Sequence, residues 1–190
     1  MSFLYDQPAL FVAFGLPGAG KTYVARTFED FGFTMHDGDD DLPDVMRAAI
    51  AASQPIDDNL RDQFFARIIT SAERLWPANP RLVIAQTFIK EKYRQRFIEH
   101  FPAARFVLVE AALDVRERRL EQRTHQALDP DYVRKMDLIF ETPQIPHQVL
   151  TNNSDGDAHI KAQIETILRG NLSHPPPPSP YTERGSRAGI

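Results

Sequence analysis

Short apolar runs alternate with segments of helical period along most of this 190-residue chain. The clearest runs are residues 9–14, 82–85 and 106–109, in which every side chain is apolar. Runs of this kind predict strands that are buried on both faces, as in a parallel sheet. Between them, apolar residues return every three or four positions, which is the period of an amphipathic helix. The pattern therefore predicts an α/β fold.

Two weaker runs, residues 33–36 and 149–150, bring the number of predicted strands to five. Helical segments follow the strands, and the longest of them runs from about Asp58 to Trp76. This alternation predicts a doubly wound, five-stranded parallel sheet with helices on both faces and a short lid. In such folds, ligands gather at the carboxyl ends of the strands.

The C-terminal residues have a different composition from the rest of the chain. Five of the seven residues 174–180 are proline, which favours extended polyproline structure, and the segment after them has no apolar period. We therefore predict one domain over residues 1–170 and a Pro-rich, disordered tail over residues 171–190.

The segment from Gly15 to Thr22 matches the phosphate-binding pattern G-x-x-x-x-G-K-[ST] at every fixed position, between a predicted strand and a predicted helix. In that context the loop N–H groups converge on phosphates, the lysine reaches the outer phosphates and the threonine hydroxyl can bind Mg²⁺. A glycine-rich turn that binds nothing is the competing interpretation, and the flanking strand and helix disfavour it. The residues predicted to contact a nucleotide are Gly15, Pro17, Gly18, Ala19, Gly20, Lys21, Thr22 and Tyr23.

Composition narrows the classes of partner. The net charge of −4 gives no general reason to expect nucleic acid or an anionic membrane as partner. There is no cysteine, which excludes disulfides and thiolate metal sites. No signal-peptide pattern or membrane-length apolar run occurs, so we predict a cytoplasmic protein. A monomer and a homodimer both remain open.

Acidic residues follow the second predicted strand. By their position at a strand end, Asp37 and Asp39 are expected close to the phosphate-binding loop. There they could hold a Mg²⁺ shell or accept a hydroxyl proton from a substrate. The competing interpretation is an acidic, solvated turn, and we assign Asp40 and Asp41 to it.

Basic residues offer candidates for substrate binding. Arg61 follows Asp57 and Asp58, so it could clamp an anionic substrate group or pair with those acids. Lys90 and Arg94 are spaced one helical turn apart after the third strand and could face the same cleft edge. Exposed surface charge is the alternative for both.

The cluster from Arg116 to Arg123 has three interpretations. It could be a solvated helix face, a nucleic-acid patch, or a lid whose arginines close on the transferred phosphate. With a phosphate-binding loop present, we favour the lid for Arg119 and Arg123. We assign Arg116 and Arg118 to solvent.

These residues together resemble a known family, the gluconokinases, which are small P-loop kinases related to shikimate kinases. The likeness spans about residues 9–168 in a common order. It is carried after the P-loop by Asp37-Gly38-Asp39, Pro43, Pro55-Ile56-Asp57-Asp58 and Arg61, and later by Lys90, Tyr93, Arg94, Asp114-Val115, Arg119-Leu120, Arg123 and Phe140-Glu141-Thr142. The resemblance implies a five-stranded sheet, ATP with Mg²⁺, and phosphoryl transfer to a small hydroxylated molecule.

The departures from this family fall where gluconate would be recognised. The family has His at the position of Leu42 and Asn at that of Met46, and Cys-Ser in place of Gln86-Thr87. The amino-acid sequence of the phosphate-binding loop also resembles that of a broader set of P-loop proteins, which includes polynucleotide kinases and zeta-type toxins. The residues that match the family's catalytic positions are therefore present, whereas those at its substrate-contact positions differ.

We predict an ATP-dependent small-molecule kinase that acts on a carbohydrate, a sugar acid or a related metabolite. The predicted catalytic residues are Lys21, Asp39, Arg119 and Arg123, the predicted Mg²⁺ ligands are Thr22 and Asp37, and the predicted substrate contacts are Asp39, Arg61, Lys90 and Arg94. The alternatives are a nucleotide-binding switch or ATPase without a small acceptor, and a kinase acting on nucleic-acid ends.

Overall fold

The computed structural model describes residues 8–122, 130–154 and 156–170 of the chain. Five strands form one sheet in the order β2-β3-β1-β4-β5, and every neighbouring pair is parallel. The strands are β1 Ala9–Phe14, β2 Thr34–Asp37, β3 Arg81–Ala85, β4 Arg105–Glu110 and β5 His147–Thr151. The predicted five-stranded parallel sheet is confirmed.

Seven α-helices lie within the described residues, and they follow the strands as the apolar periodicity predicts. They are α1 Lys21–Thr27, α2 Asp44–Ala51, α3 Asp58–Leu75, α4 Glu91–His100, α5 Leu113–Glu121, α6 Pro130–Ile139 and α7 Asp157–Gly170. The long predicted helix from Asp58 ends one residue early, at Leu75.

Side chains of β1 alternate between two separate apolar cores, one on each face of the sheet. Leu10, Val12 and Phe14 pack into the core that also holds residues of α3 and α4. Phe11 and Ala13 point the opposite way, into the core formed with α1 and α7. This period-2 alternation is what a strand in the centre of a three-layer fold requires. Helices therefore cover both faces, as predicted.

The topology places the carboxyl ends of the strands along one edge. β1 lies between β3 and β4, so the loop that follows Phe14 is flanked by the ends of both neighbours. Asp37 ends β2 in register with Ala85, the last residue of β3. Thr151 ends β5 opposite Glu110. Side chains just beyond these residues meet around the loop after β1.

Two predictions fall partly outside these elements. The tail predicted over residues 171–190 lies outside the described residues, as does part of the predicted lid. Within the described ranges, no helix is both long and apolar enough to cross a membrane.

Candidate active site

The loop between β1 and α1 requires glycine where it approaches its neighbours. Gly20 has a φ of 89°, and a Cβ there would lie 2.3 Å from Nδ2 of Asn152. Gly15 has a φ of 144°, and its Cβ would lie 2.4 Å from the carbonyl oxygen of Val109. Both positions combine left-handed backbone with contact too close for any side chain. The loop is therefore held against the ends of β4 and β5.

Lys21 and Thr22 open α1 directly after this loop. The Lys21 Nζ donates to the carbonyl oxygen of Leu16 at 3.1 Å, so the ammonium folds back over the loop. The Thr22 Oγ1 donates to Oδ2 of Asp37 at 3.3 Å. A positive charge, a hydroxyl and a carboxylate thus lie together at a helix N-terminus, which suits bound phosphates and a cation.

A bound cation would stabilise the ionised carboxylate of Asp37. Burial raises the pKa of its carboxyl, and the nearby Asp39 charge adds to the rise, while hydrogen bonds from the Asp39 amide and Thr22 oppose it. Its ionised form therefore lacks sufficient positive partners in the protein alone. No cluster of three His, Asp or Glu side chains able to hold a metal occurs in the described ranges. A Thr–Asp oxygen pair still fits Mg²⁺, which usually takes few protein ligands beside phosphate oxygens and water.

Asp39 lies beside this pair, and its side chain is held by Gln86. Nε2 of Gln86 donates to Oδ1 of Asp39 at 2.9 Å, and the Asp39 amide donates to Oδ1 of Asp37 at 3.1 Å. Gln86 follows the last residue of β3 and is only 7% exposed. Its amide therefore fixes the direction of the Asp39 carboxylate. Sequence reasoning missed this role, although the position of Gln86 just after a buried strand was a usable signal.

A cavity of about 330 Å³ opens from the phosphate-binding loop. Lys21, Thr22, Asp37 and Asp39 line one part of it. Its other walls come from α2, α3 and the segment after β3. A cavity of this size is at the small end of the range for ligand sites, roughly 300–1,000 Å³. The predicted nucleotide-binding and acidic residues therefore adjoin a space for a small molecule.

Arg61 lines this cavity from α3 and is 7% exposed. The two acids proposed as its partners are engaged elsewhere. Oδ1 of Asp57 accepts from the Leu60 amide at 2.7 Å and caps α3, and Asp58 binds Lys90. Among the described residues, no side chain accepts a hydrogen bond from the Arg61 guanidinium. Of its two interpretations, the geometry favours an anion clamp over an ion pair with those acids.

Lys90 does not line the cavity. Its Nζ lies 2.6 Å from Oδ1 of Asp58, and this contact holds the pKa of Asp58 below its usual range. Lys90 precedes α4 and has extended backbone, with φ −112° and ψ 146°. It is therefore not one helical turn from Arg94, and the spacing argument that put both at one cleft edge is wrong.

Arg94 is fully buried and bound to protein acceptors. Its guanidinium donates to the carbonyl oxygens of Phe88 at 2.9 Å, Ile89 at 3.3 Å and Glu141 at 2.7 Å. It also pairs with Glu91 at 2.7 Å. The prediction that Arg94 contacts substrate is corrected: it fixes the segment between β3 and α4, part of which lines the cavity.

The two arginines of α5 near the loop are placed differently from expectation. Arg116, assigned to solvent from the sequence, is 5% exposed and donates from Nε to the Pro17 carbonyl oxygen at 2.8 Å. Its Nη2 lies 2.6 Å from Oδ1 of Asp137 on α6. The signal was present, because Arg116 lies one helical turn before the buried Leu120. Arg118 is exposed, as expected.

Arg119 is connected to the edge of the phosphate-binding loop by hydrogen bonds to Asn152. Its Nη1 and Nη2 donate to the backbone oxygen and Oδ1 of Asn152, at 2.9 and 3.3 Å. Nδ2 of Asn152 donates in turn to the Ala19 carbonyl oxygen at 2.9 Å. Asn152 is 2% exposed, and an asparagine just after a strand ordinarily indicates only a turn. The other predicted lid residue, Arg123, lies outside the described residues.

Two further predicted residues lie at the site margin. The Tyr23 hydroxyl donates to Oδ1 of Asp157 on α7, and Tyr23 does not line the cavity, so its contact with a nucleotide stays a prediction. Asp41 is not solvated: it accepts from Ser71 Oγ at 2.5 Å and pairs with His36 Nε2 at 2.8 Å. Asp40 is exposed, as predicted.

A phosphate-binding loop on the central strand of a parallel sheet, with a Thr–Asp pair beside it and a cavity next to it, defines a P-loop nucleotide-binding protein of the kinase-like class. The family model described as an AAA domain, AAA_33, matches residues 10–139. Because that match spans more than half of the chain, the chain belongs to this family.

Solved structures of several kinases share this fold. The chain is similar to a sugar kinase from Janibacter sp. HTCC2649, with 17% identity and a TM-score of 0.74 over 84% of this chain and 94% of that one. It is also similar to a gluconokinase from Sinorhizobium meliloti 1021, with 24% identity and a TM-score of 0.71 over 87% and 96%. The resemblance to small P-loop kinases is confirmed for family and fold.

A third similar structure is Kti12 from Chaetomium thermophilum in complex with ADP-AlF3, with 18% identity and a TM-score of 0.61 over 83% of this chain and 96% of that one. No curated protein sequence matches the chain. These structural similarities establish the fold. The substrate has to be inferred from the residues of the site.

Proposed function

We propose that this protein transfers the γ-phosphoryl group of ATP to the hydroxyl group of a small molecule. The observation that carries the proposal is the cavity of about 330 Å³ that joins Lys21 and Thr22 to Asp39 and the buried Arg61. A kinase needs acceptor space beside its phosphate-binding loop, whereas a nucleotide switch does not. The sugar kinase and gluconokinase folds support the same class of reaction.

The loop amides and Lys21 would hold the phosphates of ATP. Thr22 and Asp37 would hold Mg²⁺, which neutralises phosphate charge when bound. The bond between Lys21 and the Leu16 carbonyl oxygen, at 3.1 Å, keeps the ammonium over the loop. These residues therefore order the donor side of the reaction.

Asp39 would act on the acceptor side. The acceptor oxygen bonds to the γ-phosphorus of ATP, the bond from that phosphorus to the β,γ-bridging oxygen breaks, ADP leaves, and the hydroxyl proton passes to Asp39. Gln86, at 2.9 Å, orients the carboxylate for that transfer. Since such transition states are loose, orientation of the hydroxyl carries much of the effect.

Arginine side chains would bind negative charge at two places, on the acceptor and on the transferred phosphoryl group. Arg61 would bind an anionic group of the acceptor from within the cavity wall. Arg119, held at the loop edge by Asn152, would stabilise charge that develops on the transferred group. Arg123 belongs to the same proposal, as a lid residue.

The nearest competing function is an ATPase or nucleotide switch with no small acceptor. The departures from the gluconokinase pattern at Leu42, Met46 and Gln86-Thr87 favour it, because they fall where gluconate would be recognised. A kinase for nucleic-acid ends is less favoured, because the net charge of −4 opposes binding to a polyanion. A cytoplasmic location and a monomeric or homodimeric state complete the proposal.

The test is an acceptor screen in which ADP release is measured at saturating ATP and Mg²⁺. We expect at least one hydroxylated acceptor to raise the rate, and Asp39→Asn to lower that rate by about 10²–10⁴-fold with ATP affinity nearly unchanged. Asp40→Asn is the matched control, since Asp40 is exposed and does not line the cavity. If no acceptor raises the rate and Asp39→Asn leaves basal hydrolysis unchanged, the switch replaces the kinase.

A further inference from the structure

The cavity beside the phosphate-binding loop has two chemically different parts. Near the loop its lining is polar, with Thr22, Asp37, Asp39 and Gln86. Most of the remaining wall is apolar, with Met46 and Ile50 from α2, Phe64 and Phe65 from α3, and Met136 from α6. The exposed Arg47 and the half-buried Thr87 also line it. A ligand that fills the cavity must therefore present a polar end and an apolar body.

Arg61 interrupts the apolar wall with a single buried charge. It precedes Phe64 and Phe65 by one turn of α3, so the three side chains share a helix face. The residue is 7% exposed, and within the described residues no carboxylate pairs with its guanidinium. An isolated buried charge is unfavourable, and an anion from the ligand would offset that cost.

We propose that the phosphoryl acceptor is a hydroxy acid with a hydrocarbon body. Its anionic group binds Arg61, its hydroxyl faces Asp39, and its hydrocarbon body packs against Met46, Ile50 and Phe64. This inference rests on the proposed kinase function and adds the class of substrate. The volume of about 330 Å³ limits the acceptor to a small molecule.

A polyol acid fits this wall poorly. Every hydroxyl taken from water needs a hydrogen-bond partner, and hydrocarbon side chains offer none. Met46 is 4% exposed and Ile50 is half-buried, four residues apart on α2, so they present a continuous apolar strip to the cavity. A hydrocarbon body gains from contact with that strip. The wall thus disfavours polyol acids and favours hydroxy acids with a hydrocarbon body.

The experiment compares three sets of acceptors that differ in body or in charge. The first set comprises the isomers of hydroxymethylcyclohexanecarboxylate and hydroxymethylbenzoate. The second contains gluconate and related polyol acids, and the third contains the neutral alcohols that correspond to the first set. Rates of ADP release give kcat/KM, and calorimetry gives binding. We expect at least one member of the first set to exceed every polyol acid and its own neutral counterpart by tenfold or more.

Arg61→Gln tests the anion contact. It should lower kcat/KM for the preferred acid by 10-fold to 100-fold, mainly through KM, and leave its neutral counterpart and the KM for ATP unchanged. Arg61→Lys, which keeps the charge, should recover part of the preference for acids. A loss that is equal for acid and neutral alcohol would show that Arg61 only supports the fold, and would overturn its assignment.

Met46→Gln tests the apolar wall. It should reduce the preference for a hydrocarbon body over a polyol body by about tenfold at unchanged KM for ATP. Val45→Gln on the same helix is the matched control, since Val45 is 63% exposed. If Met46→Gln fails to fold, Ile50→Gln makes the same test at a half-buried position. An unchanged preference in the folded variant would overturn the inference.

Failure of this inference is distinguishable from failure of the proposed function. If polyol acids or neutral alcohols are the best acceptors, the kinase function stands and the substrate class is wrong. If no compound of any set binds or raises the rate of ADP release, this inference is wrong, and the broader acceptor screen with Asp39→Asn decides the kinase function separately. A best acceptor from the first set whose preference depends on Arg61 and Met46 supports both.

Discussion

Asp37 and Asp39 are two residues apart and face different groups. Asp37 is partly buried against the Thr22 hydroxyl, and Asp39 is exposed to the cavity and oriented by Gln86. The 3₁₀ turn that begins after Asp37 separates the two carboxylates, because the Asp39 amide donates back to Asp37. One short turn therefore provides a carboxylate for a cation and another for a hydroxyl.

Asp37→Asn should weaken the Mg²⁺ dependence of ATP binding while stabilising the ligand-free protein at neutral pH. Burial raises the pKa of Asp37 in the folded state, so its ionised form opposes folding above that pKa, and asparagine removes this cost. The stability gain should disappear as pH falls to about 4, where the unfolded chain also protonates. Calorimetric ATP titrations at several Mg²⁺ concentrations, with melting curves from pH 4 to 8, measure both effects. Equal melting temperatures of parent and variant at neutral pH would contradict this account of Asp37.

At the scale of elements, α5 is the helix that connects the phosphate-binding loop to its surroundings. Arg116 spans from the Pro17 carbonyl oxygen to Asp137 on α6. Arg119, one turn or less away, reaches the residue after β5. Neither contact is local in sequence, yet both end on or beside the loop. α5 therefore holds the loop through Arg116 and the residue beside the loop through Arg119.

Arg116→Met should loosen the loop while keeping most of the side-chain volume. Loss of the bond to Pro17 leaves a buried carbonyl oxygen without its partner, which costs about 1–3 kcal/mol. We expect a lower melting temperature, by about 2–4 °C per kcal/mol, and ATP binding weaker by about tenfold. Arg118→Met on the exposed face of the same helix is the control. ATP affinity that is equal in parent and Arg116→Met would show that the bond does not shape the loop.

The elements could be predicted from the sequence because each carries its signal within consecutive residues. The apolar run of β1 and the period of α3 are complete in themselves, so both matched closely. The contacts of Arg94 and Arg116 could not be predicted in the same way, because their acceptors include the carbonyl oxygens of Glu141 and Pro17, which are distant in the sequence. Lys90 shows the same limit, since its extended backbone before α4 removed the assumed helical spacing.

At the scale of the whole molecule, α7 closes the second core. Its buried residues, Ile160, Ile164, Ile167 and Leu168, pack with β1 and β4 side chains such as Phe11 and Val107. The helix ends at Gly170. The described core is therefore complete without any residue of the predicted tail.

Truncation after Gly170 should leave the melting temperature within about 1 °C of the parent and ATP binding unchanged, since a Pro-rich sequence without an apolar period is expected to bury little apolar surface. Truncation after residue 156, which removes α7 and its four buried side chains, is the matched comparison and should abolish cooperative melting. Differential scanning calorimetry measures both. A drop of several degrees in the first truncation would show that the tail packs on the domain.

The bond from Asn152 to Ala19 spans 133 residues. It joins the loop after the first strand to the end of the last strand, and contacts of such sequence separation form late in folding. During synthesis, the glycine-rich loop emerges early, and its bond to Asn152 can form only once the residues after β5 have been made. If nucleotide binding needs that bond, a nascent chain captures nucleotide only after the last strand of the sheet has emerged.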